Sequence, residues 1–162
     1  MSSHSASPII CPIKPVQADW IDYNGHMNMA YYHVLFDQGV DFAYDKLGIG
    51  AAYLEQGGSC FTREVHVNYL SELALGDAAL VTWQLLDVDA KRLHFFQHMY
   101  KADTQPSELV ATSEQLALHV DMNSRRTAPF PGSIQHQLQQ QLAEHSLIKR
   151  PSQVGGVMGI RR

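Results

Sequence analysis

At 162 residues, with 45% apolar and 17% charged side chains, the chain has the make-up of one globular domain with a sizeable core. A formal net charge of −4 with His neutral offers no basic field for nucleic acid. No run approaches a membrane span, and Met1-Ser2-Ser3-His4-Ser5 lacks the charge and apolar stretch of a signal. A cytoplasmic protein is expected. Cys11 and Cys60 have no metal or redox spacing, so reduced thiols are expected.

In chain order, residues 1–7 are polar and expected to be disordered. Pro8 to Val16 reads as a short strand, and Pro12 and Pro15 suit an edge better than a centre. The most informative segment follows: Asp22-Tyr23-Asn24-Gly25-His26-Met27-Asn28. It gathers a carboxylate, a glycine turn, a histidine and two carboxamides just ahead of an apolar run. Glycine lets the backbone turn sharply. The first amides of a helix point unpaired at whatever lies in front of them.

From Met27 to Leu47 the periodicity predicts a helix. His33, Asp37, Asp41 and Asp45 step by four and mark one wet side, and Gly48 and Gly50 end the helix. A helix this apolar is covered on most sides, and a curled sheet is the natural cover. Four strand patterns follow. In the first, Phe61, Arg63, Val65, Val67 and Tyr69 share one face. The second alternates Ala79, Val81, Trp83 and Leu85 with Leu80, Thr82, Gln84 and Leu86. Residues 92–101 and 108–120 give the others. Gly76-Asp77 and residues 87–91 read as turns. Connections this short require antiparallel pairing. Gln135 to His145 reads as a helix amphipathic on Ile134, Leu138 and Leu142. The domain is thus expected over 8–146, with a loose tail over 147–162.

The segment from Asp22 to Tyr31 or Tyr32 resembles the start of the central helix in hot-dog fold acyl-CoA thioesterases of the 4-hydroxybenzoyl-CoA thioesterase-like branch. Val65-x-Val67-x-Tyr69, Leu75-Gly76-Asp77, Val120-Asp121, Ser124-Arg125-Arg126 and Pro129-Phe130-Pro131 extend the resemblance over roughly residues 10–131. It implies an α+β fold, a single hot-dog domain whose antiparallel sheet wraps a long central helix. It further implies a homodimer or tetramer with each site at the dimer interface, an acyl-CoA substrate, and no cofactor or metal.

The chemistry expected of such a site is the delivery of water, or of a carboxylate, to a thioester carbonyl. Asp22 is the candidate, as general base or as nucleophile; the residues leave that choice open, and an Asx-turn or cap role remains the plain alternative. The amides of about Asn28 and Met29 are the oxyanion-hole candidates, each such donor worth roughly 2.7–4 kcal/mol. His26 either orients the carbonyl or water, or bonds a backbone carbonyl. Asn24 and Asn28 also suit caps. His94 and His98 invite a metal, but on a strand they stand about 13 Å apart, which excludes it.

Aromatic side chains around the motif, Trp20, Tyr23, Tyr31, Tyr32, Phe36 and Phe61, with Asn24, are the expected acyl pocket; as core residues most need no such role. Lys91, Arg92, Arg125 and Arg126 are the candidates for the CoA phosphates. The motif together with Ala90-Lys91-Arg92-Leu93-His94 is most similar to the thioesterases of carnitine breakdown, whose substrate is betainyl-CoA. A quaternary ammonium suits an aromatic cage by cation–π attraction, here Trp20, Tyr23 and Tyr32. Two other readings are a hot-dog hydratase, against which Gly25 and the short Asp22–His26 spacing argue, and a non-catalytic acyl-CoA-binding protein.

Overall fold

The computed structural model describes residues 6–105, 107–160 and 162. Seven strands form one antiparallel sheet: β1 (Ile9–Ile10), β2 (Lys14–Pro15), β3 (Gly58–Tyr69), β4 (Ala78–Val88), β5 (Arg92–Lys101), β6 (Glu108–Asp121) and β7 (Arg126–Thr127). Its main order is β1-β4-β5-β6-β3, with β2 on β4 and β7 on β6. The helix α1 (Met29–Lys46) lies against one face, joined by α2 (Gly132–His145). This is the helix-in-sheet arrangement that the resemblance implies.

Two clusters make the core. One gathers Val40, Ala43 and Tyr44 of α1 and its C-cap Leu47 with Trp83, Leu85, Leu93 and Phe95 of the sheet and Ile134 and Leu138 of α2. The other packs Leu35 and Phe36 against Val81, Met99 and Ala111. The helix can approach so closely because position 39 is glycine. A Cβ there would stand 2.9 Å from both Gln97 Nε2 and Val81 Cγ1. In the space so opened, Gln97 Nε2 donates to the Phe36 carbonyl at 2.8 Å, and Gln115 Nε2 donates to Gln97 Oε1 at 3.0 Å. These buried amides bond one another, as a polar group away from water must.

Several expectations are corrected in detail. The strand expected over Pro8–Val16 is two short pieces: Pro12 falls in the gap between them, while Pro15 stays in the ladder opposite Ala78. The helix begins two residues later than Met27, since Asn28 is its N-cap and Met27 instead bridges Ile21. Gly48 follows the C-cap with φ 71°, the left-handed geometry expected of it. In β3 a bulge at Arg63 shifts the register between Thr62 and Glu64. Phe61, paired with Leu118, therefore faces away from α1, whereas Val65, paired with Gln115, faces it; the single face drawn for both does not exist. Asp87 and Val88, expected in a turn, belong to β4, which gains a second bulge after Leu85.

The expected disordered N-terminus falls outside the described residues for positions 1–5. Beyond α2 the chain bends back over the outer sheet face: Pro151 is buried, and Gly155 N donates to Glu114 Oε2 at 2.8 Å. The residues after it, Val157, Met158 and Ile160, are exposed. Among the described residues no helix is long and apolar enough to cross a membrane.

Candidate active site

The chain enters α1 through a tight hairpin. Ile21 bridges Met27, Asp22 N donates to His26 O, and Gly25 N donates to Asp22 O at 2.9 Å. Gly25 closes this turn with φ 82° and open space around it. A β-carbon there would strain the backbone rather than collide. Asp22 sits at the base, its Oδ1 accepting from Asn24 N at 2.8 Å and its Oδ2 from Asn28 Nδ2 at 3.2 Å. The Asx turn offered as the plain alternative is present, yet one carboxylate edge points on toward the helix mouth.

At that mouth the amides are individually accounted for. Asn28 N donates to Trp20 O at 2.9 Å, Ala30 N to Asn28 Oδ1 at 3.0 Å, and Tyr31 N to Asn28 O at 3.0 Å. The Asn28 amide is therefore occupied and is corrected as an oxyanion donor; its side chain instead caps the helix and holds Asp22. Among the described residues Met29 N, the first helical amide, has no turn, loop or cap partner. Met29 itself is 62% exposed, and its amide stands at the positive end of the helix dipole.

His26 Nδ1 lies 3.1 Å from Met27 O, the backbone-carbonyl alternative for this residue. With Nδ1–H donating there, Nε2 remains an acceptor. Tyr69 ties the far end of β3 to the site, its hydroxyl donating to Met29 O at 3.0 Å. Tyr32 is core: it is 3% exposed, stands edge-on to Tyr69, and its hydroxyl accepts from Leu73 N at 2.8 Å. Phe36 is wholly buried.

The expected ring cage does not assemble within the chain. Trp20 stacks on Tyr31 with centroids 5.4 Å apart, Tyr32 is enclosed, and Tyr23 at the hairpin tip is 98% exposed. Asn24 is exposed beside it, its amide used on Asp22. Phe61 is eight residues before Tyr69 on β3, roughly 26 Å along an extended strand. Within one chain it is distant from Asp22. It lies instead with the arginines: Phe61, Leu118 and Arg92 are neighbours across the outer face, and the Arg125 guanidinium stands 5.7 Å from the Phe61 ring. Arg126 in β7 pairs opposite Asp121 and is exposed. Arg92 already binds Asp89, with Nε donating to Oδ2 at 2.7 Å.

Two larger hollows lie elsewhere. One of about 530 Å³ sits on the outer face under the bent-back tail, with Glu64, Asp87, Asp89 and Glu114 against Arg92. Four carboxylates against one guanidinium make it a poor phosphate site. The other, about 380 Å³, opens between α1 and β3; the sequence marks only its acidic helix wall, as a wet side. Burial raises the Cys11 thiol to about 11 and the Cys60 thiol to about 12, so neither is a thiolate nucleophile near neutrality.

Comparison with known proteins gives the family. Residues 16–138 match the thioesterase-like superfamily, and the chain belongs to that family. It is 35% identical over 161 residues to a Rhizobium meliloti protein named L-carnitine dehydrogenase/betainyl-CoA thioesterase, covering 99% of the chain but only 32% of that protein. The chain thus spans about a third of such two-part relatives. It is also 35% identical to the betainyl-CoA thioesterase of Pseudomonas aeruginosa, covering 90% of the chain and 91% of that protein. A Staphylococcus aureus protein solved in complex with CoA superposes with a TM-score of 0.88 at 30% identity, over 99% of this chain and 100% of that one.

Proposed function

We propose that the chain is an acyl-CoA thioesterase that hydrolyses betainyl-CoA to glycine betaine and CoA. The observation that carries the activity is the pairing of a fixed carboxylate, Asp22, with an uncommitted amide, Met29 N, at one helix mouth. Asp22 takes a proton from water as the water oxygen adds to the thioester carbonyl. The carbonyl oxygen becomes an oxyanion, stabilised by the Met29 amide and the helix dipole. Collapse of the tetrahedral intermediate breaks the carbon–sulfur bond and expels CoA thiolate, which takes up a proton. Two hydrogen bonds hold the Asp22 carboxylate in place. Residues of this chain do all of it, without a cofactor.

The proposed assembly is a dimer through β3. That strand is 12 residues long and, among the described residues, has a neighbour, β6, on one side only. Phe61, Val65, Tyr69 and Leu70 leave apolar surface exposed along it. A long exposed edge is a standing invitation to pair. The CoA phosphates fall to Arg125 and Arg126, since the Arg92 charge is already neutralised by Asp89. CoA chemistry also fits a cytoplasmic location. The test is release of free thiol from purified protein with betainyl-CoA and with uncharged acyl-CoAs; no release from any of them sinks the reading.

A further inference from the structure

We propose that the groove between α1 and β3 is the pocket for the cationic end of the acyl group, with Asp37, Asp41 and Asp45 as its counter-charges. This rests on the thioesterase reading and deepens it by assigning the residues that select the substrate. The three carboxylates step by one helical turn along α1, and all three line a hollow of about 380 Å³. Like charges four apart destabilise a helix by roughly 0.2–0.5 kcal/mol per pair. Among the described residues none of the three pairs with a cation: Lys46, the nearby candidate, lies 4.9 Å over the Phe42 ring instead. Burial, then Asp37 and Asp45, raise the Asp41 carboxyl above its ordinary range, as expected of a charge awaiting an opposite one.

A second observation is independent of the acids. Tyr44 walls the same groove, is only 7% exposed, and among the described residues its hydroxyl has no hydrogen-bond partner. A buried hydroxyl left alone is costly and marks a place that is incomplete without an occupant. Gly50 shapes the rim: a Cβ there would overlap the Asp45 carboxylate.

The chemistry selects an onium ion. A metal needs converging ligands, and among the described residues no three His, Cys, Asp or Glu groups come together for one. Carboxylates on side chains whose Cβ atoms stand about 6 Å apart, over the apolar walls of Val40, Ile49 and Leu54, suit a bulky, diffuse charge without N–H groups. The dimer proposed through β3 brings this pocket to the chemistry. Self-pairing an antiparallel strand about its centre sets the Tyr69 end of one copy against residues 58–62 of the other. Tyr69 is bonded to Met29 O, while Ser59, Cys60 and Thr62 line the groove. Each helix mouth thus faces the groove of the second copy.

The experiment compares kcat/KM for betainyl-CoA with that for 3,3-dimethylbutanoyl-CoA, its carbon isostere of equal shape and no charge. The wild type is expected to prefer the cation by at least ten-fold. Asp41→Asn, and separately Asp37→Asn, are expected to cut that ratio at least ten-fold, mainly through KM. Both changes are isosteric and relieve repulsion on the helix, so folding is retained. A wild-type ratio near one, or variants whose ratio stays within two-fold, would overturn the assignment while leaving thioester hydrolysis standing. Absence of thiol release from both compounds removes the thioesterase reading beneath it.

Discussion

Asn28 ties the carboxylate of Asp22 to the first turn of α1: its Nδ2 donates to Asp22 Oδ2 at 3.2 Å, and its Oδ1 accepts from Ala30 N at 3.0 Å. One side chain therefore does two separable things. It caps the helix, and it aims the proposed base beside the Met29 amide.

Separating the two gives a prediction. Asn28→Ala loses both, with about 1 kcal/mol of stability from the cap and roughly ten- to hundred-fold in kcat from misplacement. Asn28→Ser keeps a capping oxygen, but its single hydroxyl, spent at the cap, is too short to replace the Nδ2 that reaches Asp22. Thermal melts should show Ser near wild type, while its kcat stays with that of the alanine variant. Full recovery of kcat in the serine variant would make the Asn28–Asp22 bond irrelevant to rate.

Gly39 tests how α1 is seated. Alanine gains up to about 1 kcal/mol of helix propensity but meets Gln97 Nε2 and Val81 Cγ1 at 2.9 Å, and overpacking typically costs about 1–3 kcal/mol. The clash wins, because Val81 is fixed in the sheet. Gly39→Ala is expected to lower the melting temperature by several degrees; an unchanged or higher value would mean that the helix floats freely over the sheet.

The buried histidines set a pH dependence of stability. His145 is 1% exposed, accepts from Leu85 N at 2.8 Å through Nδ1, and burial depresses its pKa below 6.5. Burial lowers that of His98 as well. A depressed histidine binds fewer protons folded than unfolded, so its stabilisation is intact above the unfolded value and is lost as pH falls through the folded one. The melting temperature should fall as pH drops below about 6.5. His145→Asn keeps an acceptor that does not titrate, and its curve should be flatter. Parallel curves for variant and wild type would contradict this.

How much of this was legible in the sequence follows from range. Helix and strand periodicities are local, so α1, β5 and α2 stood close to where the pattern put them. The Asp22–Asn28 cluster was legible because seven consecutive residues form it. The bulge at Arg63 was not, since a two-to-one register depends on what β6 offers opposite. It turned Phe61 from the expected acyl pocket toward Arg125. Likewise the occupied Asn28 amide depends on Trp20 O, and the groove by Tyr44 joins α1, residues 49–54 and β3. The sequence marks His33, Asp37, Asp41 and Asp45 only as a wet side of the helix. All four are exposed, and only the fold brings Cys60 and Thr62 beside three of them.

The most direct test of the central claim is the rate of CoA thiol release from betainyl-CoA by the wild type and by Asp22→Asn at equal, folded concentration. Removing a general base should lower the rate about 10²–10⁴-fold with an unchanged melting temperature and circular dichroism spectrum, whereas His26→Ala should lose less. Hydrolysis by the Asp22→Asn variant within a few-fold of wild type would contradict the account: Asp22 would then be only the Asx turn that shapes the hairpin.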